Sequence, residues 1–370
     1  MTPRQRLLET LRGGTPDRVP LLLEGFHFPG REDIDRARDL GVREIAHRIF
    51  DHTTAFVESP SFVNRYLVTP PRFITDVARE QDEGKVFVTS VIETPKGQLT
   101  AVTARDPLTP GTLWTVKYPV ESLDDIDKIR SVPWELPAGL APPDLSTLPS
   151  DFERRGVLRT GVSSPFVCVA GMMPYQYFLE LCATHLTLIK ELTAQCLERI
   201  LSVLDVLLAD RTIDYVWMGG CEWLTPPMAS PRLYEELVQH FERPVIARIH
   251  QAGAISHIHC HGNVRSTLEL VVERGGDYFE PVEPPPDGDL TFAEAKALAA
   301  GRMTLGGNVE ARVIAYGSPE TLEAAARAAF EGGKERMVFA TSAGPLALVT
   351  PRMLANYHRL LDLWDHLSPL

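Results

Sequence analysis

Three of the 11 histidines stand at alternate positions in the run Ser256-His257-Ile258-His259-Cys260-His261-Gly262-Asn263. On a strand, alternate residues share one face, so the run can turn several imidazoles toward one point. Zinc and non-haem iron sites need such converging nitrogens. The competing arrangement is a polar barrel interior whose histidines hydrogen-bond one another and nearby carboxylates. His259 and His261, at the strand's end, are the expected catalytic groups and ligands of a divalent metal, zinc first. Cys260 falls on the opposite face and reads as core. Glu222 follows the apolar run Val216-Trp217-Met218 and is placed to serve as metal ligand or general base. Glu280 and Glu283, in Phe279-Glu280-Pro281-Val282-Glu283-Pro284, suit carboxylates that hold the histidines from behind, and Glu280 is also expected to touch substrate. Asn263 and Asn308 are expected to orient bound groups, the latter in Gly306-Gly307-Asn308-Val309-Glu310, where glycines let backbone approach a ligand. His27 and Arg31 complete the expected substrate contacts.

These residues need a frame that brings distant strand ends together. Apolar strand candidates are Val19–Leu23, Val157–Val162, Tyr215–Met218, Ile255–Cys260, Tyr278–Phe279, Met303–Leu305 and Met337–Ala340, with an eighth expected before residue 85. Helical patterns fall between them, and Ser230-Pro231, Ser318-Pro319 and Thr350-Pro351 each set a cap residue before a Pro at the first helical position. The alternation predicts a (β/α)8 TIM barrel, a single domain over residues 1–370. Residues 86–120 alternate polar and apolar, with Pro95-Lys96-Gly97 and Pro110-Gly111 at the joints, and predict an antiparallel β insertion. In such barrels chemistry sits at the C-terminal strand ends, where the residues above fall.

Composition narrows the function. The 370 residues carry 37 Lys+Arg against 49 Asp+Glu, a net charge of −12, which argues against nucleic acid and anionic membrane surfaces as partners. No stretch is long and apolar enough for a span, and the first residues lack the apolar core of a secretory signal. Five cysteines without tight spacing do not make a disulfide framework, so a reducing cytoplasm is the expected setting. Cys168, Cys182 and Cys196 read as structural.

Several stretches resemble the uroporphyrinogen decarboxylase / corrinoid-dependent methyltransferase superfamily: MTPRQRLLETLRGGTPDRVP at the start, SPRLYEELVQHFERPVIARIHQAGAISHIHCHGN in the centre, GGNVEARVIAYGSPE, and VTPRMLANYHRLLDL near the end. The resemblance implies a (β/α)8 barrel. It also implies a choice of chemistry. True uroporphyrinogen decarboxylases carry an arginine-rich Met-Arg-Gln-Ala-Gly-Arg loop for substrate carboxylates; here the stretch reads Phe26-His27-Phe28-Pro29-Gly30-Arg31, and only Gly-Arg agrees. The methyltransferase branch holds zinc with a His-x-Cys pair and a later Cys. Here the first His matches His259, the Cys position is His261, and no cysteine stands near Ser342–Gly344, which excludes a thiolate-rich zinc site. A His259/His261 site completed by Glu222 is harder in character.

The reading that follows is an enzyme moving a methyl group between a small methylated substrate and a corrinoid supplied by a partner protein, assisted by a divalent metal at the His-x-His strand. The alternative is a cofactor-free decarboxylase of a carboxylated substrate, with Arg31 pairing the carboxylate and a histidine supplying the proton. A homodimer is an assembly the sequence allows.

Overall fold

Strands in this chain are short, and the computed structural model fixes them for residues 1–58, 65–107, 113–142, 144–345 and 347–370, with the Asn308 side chain outside that description. In chain order they are β1 Leu21–Leu22, β2 Ala55–Glu58, β3 Ile74–Asp82, β4 Lys85–Ile92, β5 Leu99–Arg105, β6 Leu113–Lys117, β7 Gly156–Ser163, β8 Tyr215–Gly219, β9 Ile255–His259, β10 Tyr278–Val282, β11 Thr304–Val309 and β12 Met337–Thr341. Eight form one sheet in the order β1-β12-β11-β10-β9-β8-β7-β2, every pair parallel. Helices run between consecutive strands from β7 onward, so both sheet faces are covered and the strands read as apolar runs. The predicted caps form: Ser230, Ser318 and Thr350 side chains accept N–H groups of Leu233, Thr321 and Met353.

The arrangement is TIM-like, but the expected closed barrel is corrected at one seam. Among the described residues no ladder joins β1 to β2. The cause is local. β1 is two residues long, and side chains occupy the two strand edges instead. Thr53 Oγ1 donates to the Leu21 carbonyl at 2.7 Å, and His27 Nδ1–H donates to the Thr54 carbonyl at 3.0 Å. The eighth strand expected before residue 85 is β2.

One end of the barrel is plugged. Helix Pro3–Leu11 opens with a Thr2/Gln5 capping box and turns Leu7, Leu8 and Leu11 onto Leu22, Phe56, Val157, Tyr215, Ile255, Tyr278 and Val338. Arg4 ties it to Asp214, ahead of β8, at 2.6 Å. These side chains fill the N-terminal end of the barrel. The remaining strands, β3 to β6, form a separate antiparallel sheet. It starts at Ile74, earlier than the 86–120 span, because β3 is exposed along most of its length and lacks an apolar face to reveal it; residues 108–112 of that span lie outside the described residues. Among the described residues no helix is long and apolar enough to cross a membrane.

Candidate active site

β9 carries His257 and His259 inward, with Ile258 facing the helices. Its neighbours in register are Trp217 and Gly219 on β8 and Tyr278 and Glu280 on β10. The result is a polar layer above the apolar plug. Tyr215 hydroxyl and His257 Nδ1 hydrogen-bond. His259 Nδ1 lies 3.0 Å from Glu280 Oε2, and His257 Nε2 lies 3.6 Å from the same oxygen. Gly306 makes room for this: a Cβ there would stand 2.4 Å from Glu280 Cβ and 2.8 Å from the Tyr278 hydroxyl. Past the strand end, His261 Nδ1 meets Glu283 Oε1 at 3.0 Å, while Gly262, at φ +83°, turns its N–H onto Glu283 Oε2 at 2.6 Å. The two rings sit edge to face, 4.7 Å apart.

His259 and His261 are thus each held through Nδ1 by a carboxylate, whereas His257 Nδ1 meets the Tyr215 hydroxyl. A neutral imidazole donating from Nδ1 keeps Nε2 as a lone-pair donor, the arrangement that supports metal-bound histidines. Electrostatics follow from the pairing. Burial would raise the Glu280 pKa, but the charges and hydrogen bonds of His259 and His257 hold it well below the usual carboxylate range. Burial would lower His259; Glu280 overrides it and leaves the imidazole more basic than usual. In His257 burial wins, and its pKa falls. His257 Nε2 and the Tyr278 hydroxyl have no hydrogen-bond partner among the described residues.

Two cavities open onto these groups and share His261 and Ser342. The inner one, about 410 Å³, is lined by Glu24, Arg159, Trp217, His257, His259 and Glu280 among others. The outer one, about 560 Å³, is lined by Glu222, Asn263, Glu283, Asp287, Glu310 and Arg312 among others. Arg312 pairs with Asp287. Glu310 is 6% exposed; burial, then the charges of Glu283 and Asp287, push its pKa up to about 8, so it is mainly protonated at neutral pH.

The sequence-derived residues scatter around this mouth in an instructive way. His259, His261 and Glu280 come together. Glu222 lines the outer cavity, but its carboxylate falls in with Cys221 and Cys260, and His259, His261 and Glu222 are not within mutual ligand distance of 4.8 Å among the described residues. The group that does meet that distance adds His257 to His259 and Glu280. Asn263 lines the outer cavity. Asn308 pairs through its backbone with Ala340, and its side chain lies outside the described residues. His27 fills the seam, Nε2 4.0 Å from Glu24 Oε2. Arg31 is not at the mouth: it pairs with Asp51 at 2.8 Å and stacks on Phe50, both ahead of β2. Sequence reasoning passed over Arg159 and Trp217. An arginine inside the apolar run of β7 was the available signal.

A family model described as uroporphyrinogen decarboxylase (URO-D) matches residues 111–363. Among solved structures, a methyltransferase from Methanosarcina mazei covers 99% of this chain and 99% of its own, with TM-score 0.60 and 15% identity, a likeness of fold. A B12-independent methionine synthase from Shewanella sp. W3-18-1, in complex with selenomethionine, covers 80% of this chain and 75% of its own, with TM-score 0.40 and 10% identity. No curated protein sequence matches the chain.

Proposed function

The chain belongs to the uroporphyrinogen decarboxylase family, and from that premise we propose that it is a methyl-transfer enzyme acting on a small methylated substrate, with a corrinoid carried by a partner protein as the other methyl carrier. The observation that carries the reading is the pair of carboxylate-held histidines between two acidic cavities. The inner cavity takes the small substrate against Trp217 and His259. The outer cavity, rimmed by Asn263, receives the methyl carrier. A divalent ion fits His259 and His261, because Glu280 and Glu283 hold both rings through Nδ1 and leave Nε2 for coordination. Such an ion, when bound, acts as a Lewis acid on a substrate heteroatom. Glu222 stands on the outer wall, beside Cys221 and Cys260. Glu310 holds a proton available on the same wall. The plugged lower end keeps water entry to one side.

Decarboxylation of a polycarboxylate fits less well. The mouth is lined by Glu24, Glu222, Glu280, Glu283 and Asp287, and Arg31 is engaged elsewhere. Arg159 in the inner cavity favours a second reading, a substrate with a single carboxylate. Two measurements separate the readings: elemental analysis of the purified protein, and absorbance of cob(I)alamin mixed with candidate methyl donors. A divalent-ion content that falls by about one per chain in His259→Ala/His261→Ala, together with methylcobalamin formation, is the expected result. A metal-free protein that releases carbon dioxide from a monocarboxylate would replace the reading.

A further inference from the structure

Cys221 opens the turn after β8, and Cys260 follows β9 by one residue, so adjacent parallel strands deliver both sulfurs to one level. The turn depends on Gly220, at φ +110°, where a Cβ would stand 2.5 Å from Val167. Both cysteines are buried, on the helix side of the sheet, away from the imidazoles. Glu222 reaches the same point from the cavity side, so that two sulfurs and a carboxylate oxygen lie within 4.8 Å of one another. We propose that Cys221, Cys260 and Glu222 form a site for a thiophilic divalent cation such as zinc, separate from the histidine pair and open to the outer cavity.

Three further observations support it. The thiols are not tied into short hydrogen bonds with the backbone: Cys221 Sγ contacts the His259 carbonyl at 3.7 Å and Cys260 Sγ the His261 carbonyl at 3.9 Å, both long and weak. A fixed cation stands behind them. Arg274 is fully buried, pairs with Glu242 at 2.9 Å and donates to the Tyr234 hydroxyl at 2.9 Å. The distances are also close to what a metal needs. Ligand sulfurs at about 2.3 Å from tetrahedral zinc lie about 3.8 Å apart, so the cluster closes with side-chain shifts of about 1 Å. Glu222 lines the outer cavity, which gives the ion an entry path and leaves its fourth position to water. Binding releases one proton from each thiol as two sulfur–metal bonds form.

Cobalt(II) titration of the reduced full-length protein tests this. Expected are a sulfur-to-cobalt charge-transfer band saturating at one equivalent, about two protons released per ion in weak buffer, and displacement by zinc. Cys221→Ser/Cys260→Ser should abolish the band, and His259→Ala/His261→Ala should keep it. Glu222→Gln, which leaves the buried thiols in place, should weaken cobalt binding about 10- to 100-fold. No sulfur band in a folded wild-type protein overturns the proposal. So does a band that survives in the double serine variant, which would belong to Cys168, Cys182 or Cys196.

Discussion

Glu310→Gln should make the protein more stable, and only at high pH. In the folded chain Glu310 precedes helix Ala311–Tyr316 and is buried beside Glu283 and Asp287. Glu283 hydrogen-bonds the Gly262 N–H and meets His261, and Asp287 pairs with Arg312; with burial, their charges make a further negative charge at Glu310 unwelcome. Its carboxyl titrates near 8 instead of the usual 4.5. Between those values the folded protein holds a proton that the unfolded chain has released, so stability falls as pH rises through this window. At about 1.4 kcal/mol per pH unit, full ionisation forfeits up to about 5 kcal/mol. Water drawn in on ionisation lowers that, and about 2–4 kcal/mol is expected to survive. The glutamine is close in shape and neutral throughout. Urea unfolding of both proteins at pH 5, 7 and 9 should give stabilities within about 1 kcal/mol of each other at pH 5 and a variant ahead by about 2–4 kcal/mol at pH 9. Other titrating groups cancel in the difference. A difference independent of pH, or a variant less stable at pH 9, refutes the electrostatic reasoning.

Arg274→Met leaves the Glu242 carboxylate alone in the core and should cost about 3–5 kcal/mol in chemical unfolding, while Glu242→Leu/Arg274→Met recovers most of it. Gly306→Ala drives a methyl group into Glu280 and should cost about 1–3 kcal/mol, with weakened metal retention at the histidines checked by elemental analysis. Arg31→Ala should leave ligand affinity within about twofold, since it faces away from the mouth, whereas Arg159→Ala should weaken a carboxylate ligand by about tenfold or more, read by calorimetry. Equal effects of the two arginines would mean that the mouth has been misassigned.

Much of the frame was legible because parallel strands buried on both faces leave compact apolar runs, and β7, β8, β9 and β12 were found where those runs lie. The helix starts were equally plain, since Ser or Thr before Pro is a local signal. β3 was not, because Ile74–Asp82 has no buried face. At the site, spacing singled out His259 and His261; His257 shares that spacing, and its meeting with Glu280 depends on the pairing of β9 with β10. The Cys221–Cys260 meeting was invisible for another reason. It depends on the register of β8 against β9, and no single stretch of sequence carries register. Cys260 was rightly set on the helix side; its partner there was the missing fact. Arg31 misled because a family motif supplied its role, while the fold turns residues 28–31 toward the turn before β2.

The plug helix has a consequence for the time course of synthesis. Among the described residues β1 pairs only with β12, through Leu21 opposite Phe339 and Leu22 opposite Ala340, and Val19 N–H donates to the Ser368 carbonyl at 2.9 Å. The strand that pairs with the first one is therefore made last. At roughly 5–20 residues per second, the opening segment waits roughly 15–60 s for its partner strand. During that interval Leu7, Leu8 and Leu11 have no barrel to enter. A nascent chain arrested before residue 337 should display that helix to chaperones, and release of the last strand should hide it.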